Sequence, residues 1–194
     1  MITSASKLLF DELNDARIRA GNLVQGLSPD ELAQRAEPAK WSIAECLAHL
    51  NATAGVVQRL MSKGIERGRK EKILGNEPFN LGPKGKLLIW IATPPPKFRM
   101  RAPKAVAPPV KIADPAGVLS EFMRVQDEWE RLLKEADGLD KGRIKVGPRF
   151  SPFRCRLSAA FPWMMAHQRR HLLQAENVKR QILSDASTAT GRAS

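Results

Sequence analysis

The sequence predicts an all-α protein, a four-helix bundle with a long proline-rich crossover connection. Two observations carry this prediction. Apolar residues recur at helical spacing in four long segments of the 194-residue chain. Between the second and third segments, residues 75–113 are so rich in proline that no long helix can form there, and no segments pair convincingly as strands. Four amphipathic helices bury their apolar stripes by packing around one core.

The first segment covers residues 4–26, with Ser4 available as a helix cap. In the connector that follows, Ser28 and Pro29 are suited to open one further helical turn. The apolar residues near helical spacing in the first segment, which we expect to face the core, are Leu8, Leu9, Leu13, Ile18 and Leu23.

The second helix has the clearest start. Ser42 and Glu45 form an S-x-x-E capping box, in which each side chain satisfies a backbone amide that the helix leaves unpaired. His49 lies at the edge of the apolar stripe, beside Cys46 and Thr53, and is expected to point into a seam between helices. The stripe itself consists of Ile43, Leu47, Leu50, Ala54, Val57 and Met61.

Residues 75–113 are predicted to contain a short helix at about residues 84–92, followed by an extended basic connection on the bundle surface. Such a connection fits either a functional lid or a plain crossover strap. A third helix is then indicated by Asp114 as its cap and Pro115 at its first position, and Gly138 ends it. Its core face is predicted to comprise Val118, Leu119, Phe122, Val125, Trp129, Leu132 and Leu133.

The fourth helix is predicted to begin between Ser158 and Pro162, because proline is tolerated in the first turn, and to continue through Ile182. A short extended piece is the most that we expect in the loop before it. We therefore predict one bundle domain at residues 1–184, which includes the irregular insertion at 75–113, and a disordered polar tail at 185–194.

The composition is that of a soluble globular protein, with 43% hydrophobic and 27% charged residues. No apolar run is long enough to span a membrane, and the N-terminus does not resemble a signal peptide, so we expect a cytoplasmic location. The two cysteines, Cys46 and Cys155, have neither metal-type nor redox spacing and are expected to be buried or partly buried free thiols.

The net charge of +12 would suit a polyanion such as nucleic acid. The basic residues are scattered, however, and acidic residues lie between them in the helical segments. No zinc-finger, RNP-type or basic-zipper pattern accompanies them. We expect a solvated basic surface without a specific nucleic-acid site.

The chain contains three histidines, and two of them lie four residues apart in the segment HQRRHLLQ. Side chains at that spacing share one face of a helix, so His167 and His171 can converge on one ion. His49 is the remaining histidine and could supply a third nitrogen from the second helix. The spacing also occurs on exposed helices that bind nothing. Gln168 occupies the place of the catalytic glutamate in the H-E-x-x-H motif, which excludes that class of metalloprotease.

The segments KWSIAECLAHL and HQRRHLLQ resemble two signatures of DinB-like proteins, the bacillithiol-transferase-type family of metal-binding four-helix bundles. These signatures are W-S-x-x-E-x-x-x-H-L at the second helix and H-x-x-x-H-x-x-Q at the fourth. The resemblance extends to about Ile182. It implies that His49, His167 and His171 bind one divalent ion, commonly zinc, nickel or iron. It also implies that such an ion activates a small thiol, as in the family's thiol S-transferases and its mycothiol-dependent isomerase.

Three functions stay open at this point. The first is a metal-dependent enzyme, a thiol transferase or a hydrolase, that acts on a small molecule. The second is a metal-binding stress or interaction protein without turnover, and the third is a basic protein associated with nucleic acid. The pattern identifies no catalytic residue beyond the metal site, no serine or cysteine nucleophile with its own base, and no phosphate-binding loop. A homodimer is also left open.

Four further expectations concern single side chains. Trp41 is expected to pack as an anchor at the start of the second helix rather than to touch a substrate. Gln174 is equally suited to orienting a metal ligand or a water and to plain packing. Glu45 is expected to cap its helix rather than to accept a hydrogen bond from His49. Core positions are expected for Trp129, Trp163, Met164 and Met165.

Overall fold

The computed structural model describes residues 4–75, 80–95, 101–109 and 112–191. Within these ranges the four longest helices form the bundle, which confirms the predicted all-α four-helix architecture. The elements are α1 (Ser4–Val24), α2 (Pro29–Ala33), α3 (Ile43–Lys70), α4 (Gly82–Ala92), α5 (Gly117–Glu135), β1 (Lys145–Val146), β2 (Cys155–Arg156) and α6 (Leu157–Gly191).

Helices α1 and α6 run parallel. Arg19 Nε donates to Glu176 Oε1 over 2.8 Å, and Lys179 Nζ donates to the carbonyl oxygen of Asn22 over 2.8 Å. Both bonds join residues that are 157 positions apart. A constant separation means that the two helices advance in the same direction.

Helices α3 and α5 are also parallel to each other. Asn51 Nδ2 donates to the Val118 carbonyl over 3.0 Å, and Gln58 Nε2 donates to the Val125 carbonyl over 2.9 Å. Both bonds span 67 residues. These polar side chains therefore set the register of α5 against α3, the helix that carries His49.

The two parallel pairs run in opposite directions. The first turns of α3 share an apolar cluster with the second half of α6, and its later turns share another cluster with the start of α6. Helix α1 packs against α5 and α6, and α3 packs against the same two helices. Helices α1 and α3, which follow each other in the chain, thus lie diagonally opposite in the bundle, and so do α5 and α6. In chain order the four helices run up, down, down and up.

The starts of α2 and α3 follow the predicted capping signals. Ser42 Oγ accepts from the Glu45 amide over 3.1 Å, and the Glu45 carboxylate accepts from the Ser42 amide over 2.8 Å. A second capping box, formed by Ser28 with its N3 glutamate, opens α2. Asp114 Oδ1 accepts from the Gly117 amide over 2.8 Å, but α5 begins at Gly117 with Ala116 as its N-cap. The predicted start, with Asp114 as the cap and Pro115 as the first helical residue, is therefore wrong by two residues.

The predicted core face of α1 is partly wrong. Leu8 and Ile18 are 65% and 54% exposed. The buried positions repeat close to the helical period and include the small residues Ala16 and Ala20, which let α1 approach its neighbours closely. The buried face consists of Leu9, Leu13, Ala16, Ala20 and Leu23.

Helix α6 is longer than predicted at both ends. It begins at Leu157, directly after strand β2. The Leu157 amide donates to the Ile144 carbonyl over 2.9 Å, and this bond holds the first residue of the helix against the β-hairpin. Pro162 consequently lies inside the helix, at the cost of one backbone hydrogen bond. The helix continues through Gly191, because the small residues after Ile182 do not stop it. Residues 192–194 of the predicted tail lie outside the described residues.

The crossover insertion contains the short helix that the sequence predicts, here α4. Residues 76–79, 96–100 and 110–111 of this insertion lie outside the described residues. The only paired strands in the described part of the chain are β1 and β2, which are two residues long and antiparallel. None of the described helices is long and apolar enough to cross a membrane.

Close packing of α4 on α6 gives a stability prediction. A Cβ atom added at Gly85 would lie 2.4 Å from Ala159 Cβ. We expect Gly85→Ala to lower the free energy of unfolding by about 1–3 kcal/mol, because overpacking outweighs the gain in helix propensity. Gly21→Ala is the control, since nothing lies within 4 Å of its added Cβ, and it should be neutral or stabilising. Urea denaturation followed by circular dichroism measures both, and equal stabilities would contradict the packing argument.

Candidate metal centre

Three imidazoles meet in the seam between α3 and α6. His49 comes from α3, and His167 and His171 come from successive turns of α6; one ring nitrogen of each lies within 4.8 Å of the others. The Nε2 atoms of His49 and His167 are 3.3 Å apart. Nitrogens bound at about 2.0–2.1 Å to a tetrahedral ion are about 3.3–3.4 Å apart, so this pair already has the spacing of two ligands.

Hydrogen bonds orient two of the rings. His49 Nδ1 lies 2.7 Å from the carbonyl oxygen of Val106, and His171 Nδ1 lies 3.0 Å from Gln174 Oε1. Because both oxygens can only accept, each Nδ1 carries the proton and donates it, and each Nε2 keeps its lone pair. Metal-binding histidines are held by such partners.

Burial keeps all three imidazoles neutral. Desolvation lowers the pKa of His49, and it lowers the pKa of His171 to about 3 with a smaller contribution from the charge of His49. The pKa of His167 is lowered well below its usual value, first by burial and then by the charges of the other two histidines. At neutral pH the site therefore presents three uncharged rings.

The Nε2 atoms of His49 and His167 are placed to bind a cation. With its Nδ1 protonated, His49 directs the Nε2 lone pair at Nε2 of His167, 3.3 Å away. At this distance the two nitrogens either share a proton in a hydrogen bond or both bind one cation. Three neutral imidazoles are a donor set that zinc, nickel and iron accept. The residues present thus suit the divalent ion that the sequence motifs imply.

A cavity of about 470 Å³ lies beside the three histidines, which line it. Its walls come from α3, α4 and α6, from residues 101–106 of the crossover, and from the β1–β2 hairpin. Among the described residues that line it, the charged ones besides histidine are Arg101 and Arg170, and there is no aspartate, glutamate or lysine. This size is typical of pockets for small molecules.

Trp41 lies in the site, contrary to the expectation that it serves as an anchor alone. Its ring stacks on that of His171 with centroids 5.7 Å apart, and its centroid is 4.9 Å from that of His49. The reason is its position directly before the α3 capping box, at the end of the bundle where α3 and the middle of α6 meet. Trp41 therefore forms part of the cavity wall at the histidines.

The other single-residue expectations have mixed outcomes. Glu45 caps α3, as predicted. Its carboxylate also accepts a hydrogen bond from Arg35 Nε over 2.8 Å. Of the two roles open to Gln174, the structure shows orientation of His171. Trp163 is only partly buried and lines the cavity, where it stacks on Phe153 at 5.9 Å between centroids. The predicted core positions that are buried are Trp129, Met164 and Met165.

Two features of the site were not predicted from the sequence. The carbonyl of Val106 belongs to the crossover, and a backbone acceptor carries no side-chain signal that could have revealed it. Thr53 was placed beside His49 by the helical spacing, one turn later on the same face of α3, but its part in the cavity wall was not predicted. The crossover is consequently part of the site rather than a strap remote from it.

Neither cysteine is suited to act as a nucleophile. Cys46 and Cys155 are free and buried, as predicted. Burial raises the pKa of both thiols, and that of Cys155, which lines the cavity, reaches about 11. The reactive form of cysteine is the thiolate, which is scarce at neutral pH with such a pKa.

Comparisons with known proteins agree with this architecture. The family model of the DinB superfamily matches residues 12–175. The chain is 22% identical over 169 residues to the uncharacterised protein YuaE of Bacillus subtilis (strain 168), covering 87% of this chain and 96% of YuaE. Its fold is similar to that of YfiT from Bacillus subtilis, with a TM-score of 0.57, 17% identity, and coverage of 93% of this chain and 89% of YfiT. YfiT is described as a probable metal-dependent hydrolase with an unusual four-helix bundle topology.

The hydrogen bond from His171 to Gln174 gives a prediction for metal affinity. We expect Gln174→Leu to weaken binding of a divalent ion about 10- to 100-fold, because the ring loses the partner that fixes its tautomer. Gln174→Glu keeps an acceptor and should retain affinity. Isothermal titration of untagged protein with Zn²⁺ measures both, with Gln25→Leu as a surface control. Equal affinities of Gln174→Leu and the parent protein would contradict the orienting role.

Proposed function

The chain belongs to the DinB superfamily, and we propose that it is a divalent-metal-dependent hydrolase of a small molecule, with the ion held by His49, His167 and His171. The convergence of three neutral imidazoles at one end of a cavity carries this proposal. The description of YfiT as a probable metal-dependent hydrolase, on the same fold, supports it.

A divalent ion in such a site supplies Lewis acidity, which polarises a carbonyl group or lowers the pKa of a water molecule. The protein's own groups prepare this chemistry. The carbonyl of Val106 and the amide of Gln174 hold two rings with their Nε2 lone pairs unprotonated. Three protein nitrogens leave a coordination position for water or substrate, and the cavity that adjoins the histidines gives both access to it.

The surroundings of the histidines strengthen electrostatic interactions with a substrate. Trp41 covers one side of the ring cluster, and the adjoining walls are largely apolar, which limits water and lowers the local dielectric constant. No carboxylate among the described residues lines the cavity. The histidines are therefore the groups of this chain best placed to act on the reacting bond, through the ion that they hold.

Thiol transfer is the second candidate. Arg101 and Arg170 line the cavity and favour a co-substrate with a carboxylate group, as a low-molecular-weight thiol can carry. A metal-coordinated thiol is deprotonated and nucleophilic at neutral pH. A cytoplasmic location, a homodimer and the lack of a specific nucleic-acid site stay predictions, as does the choice among zinc, nickel and iron.

Metal loading should stabilise the fold. An ion that binds only the folded chain at 100 times its dissociation constant adds about 2.7 kcal/mol to the free energy of unfolding. We expect thermal unfolding to show this gain with Zn²⁺, Ni²⁺ or Co²⁺ for the parent protein and to lose it in His49→Ala, which removes the nitrogen that α3 provides. An equal gain in both proteins would mean that the ion binds elsewhere.

Metal-dependent turnover is the direct test of function. Untagged protein is stripped with a chelator, reloaded with Zn²⁺, Ni²⁺, Fe²⁺ or Co²⁺, and assayed on a panel of p-nitrophenyl esters and p-nitroanilides. We expect hydrolysis to return with at least one ion and to be absent in His171→Ala. If turnover appears only when a thiol is added, and that thiol alters the visible spectrum of the Co²⁺ protein, thiol transfer is the function instead. A metal-loaded protein inactive in both assays would support the non-catalytic alternative.

A further inference from the structure

The cavity extends from the histidines along one face of α3. Thr53, Val57 and Leu60 line it at successive turns after His49. The helical rise of 1.5 Å per residue places Leu60 about 16 Å along the helix from His49. The space therefore accommodates an elongated molecule with one end at the histidines.

The walls of this cavity are largely apolar, with Arg101 and Arg170 as the charged side chains besides the histidines among the described residues. Val56 and Leu60 of α3 line it together with Leu88 and Ile91 of α4, and Trp163 of α6 adds an indole ring. Arg170, the charged side chain of α6 in the lining, is engaged through Nη1 with the carbonyl of Ile91 over 3.1 Å. An apolar chain in this space would be removed from water, at a gain of about three- to fourfold in affinity per methylene group.

Thr53 is the buried polar side chain that α3 contributes to this lining beyond His49. It is 8% exposed, and its Oγ1 atom has no hydrogen-bond partner among the described residues. A helical threonine usually bonds to a backbone carbonyl one turn earlier, so an unpaired buried hydroxyl costs stability. Thr53 lines the cavity one turn from His49. Its Oγ1 atom is buried, and rotation about the Cα–Cβ bond to another staggered rotamer is the movement that brings the hydroxyl to a ligand whose polar group lies at the histidines.

Building on the proposed hydrolase function, we propose that the substrate is an amide or ester with an apolar acyl chain. The chain lies along α3 toward Leu60, and Thr53 Oγ1 donates a hydrogen bond to the carbonyl oxygen of the bond that is cleaved. Hydrolysis consumes one water: the acyl carbon gains the hydroxyl group, the bond to nitrogen or oxygen breaks, and the amine or alcohol leaves with the proton. Thr53 thus determines where the carbonyl lies, and the walls determine which acyl chains bind.

Hydroxamic acids test the acyl-chain preference without turnover, because they place a carbonyl oxygen at a metal ion and vary only in the chain. Titration calorimetry of the Zn²⁺-loaded protein should show octanohydroxamic acid binding at least about 100-fold more tightly than acetohydroxamic acid. Val56→Phe narrows the apolar part and should weaken the longer compound far more than the shorter one. Equal affinities for the two compounds in the parent protein would overturn the proposal.

Thr53 is tested by a pair of variants. Thr53→Val should weaken both hydroxamic acids by the same factor, about 3- to 10-fold, while Thr53→Ser, which keeps the hydroxyl, should retain affinity. Thr53→Val should also unfold at a higher temperature without ligand, since it removes an unpaired buried hydroxyl. Weaker binding together with lower stability would assign Thr53 a merely structural role.

A metal-free measurement separates this inference from the proposed function. N-Phenyl-1-naphthylamine is uncharged and fluoresces in apolar surroundings, so it should bind the chelator-treated protein and be excluded by Val56→Phe. If the probe binds in this way but no ester or amide is hydrolysed, the hydrolase function fails and the apolar site stands. If hydrolysis occurs but neither the probe nor the longer hydroxamic acid is preferred, the substrate class is wrong and the function stands.

Discussion

The antiparallel contact between α3 and α6 at His49 is the constraint on which the rest of the site depends. It brings Nε2 of His49 within 3.3 Å of Nε2 of His167, and it buries His49 while leaving His167 partly buried. The capping box at Ser42 and Glu45 sets where α3 begins, and hence which face of the helix carries His49 two turns later. The register of α6 is set by the pairs with α1, which bring its two histidines opposite this face.

The same contact carries an energetic cost that the core offsets. The seam contains buried polar atoms without partners among the described residues, including Nδ1 of His167, Oγ1 of Thr53 and the amide of Gln168. Unpaired groups of this kind cost about 1–3 kcal/mol each. Two apolar clusters compensate, one built around Trp129 and Phe161 and the other around the first turns of α3 and the second half of α6. A bound ion and ligand would satisfy some of the unpaired atoms, so the site's affinity and the bundle's marginal stability are linked.

The long crossover acquires a role from these contacts. A connection between α3 and α5 is required because the two helices run parallel, so the chain must return along the bundle before α5 begins. In this protein the returning segment contains α4, which forms one wall of the cavity. It also contains Val106, whose carbonyl oxygen lies within hydrogen-bond distance of His49 Nδ1. The crossover is longer than a connection between two helices needs to be, and the extra residues contribute to the site. They supply the hydrogen bond to the His49 ring and one wall of the cavity.

The sequence by itself determined the helices, their caps and the three histidines. Periodic stripes, the boxes at Ser28 and Ser42, and the spacing of His167 and His171 are local patterns, and local geometry follows from them. It did not determine the burial of Ala16 in place of Ile18, the place of Trp41 against His171, or the bond from Val106 to His49. These depend on how neighbouring helices of the bundle pack and on where a backbone carbonyl of the crossover comes to lie. Only the tertiary structure decides them, because residues distant in the chain carry no periodic signal for one another.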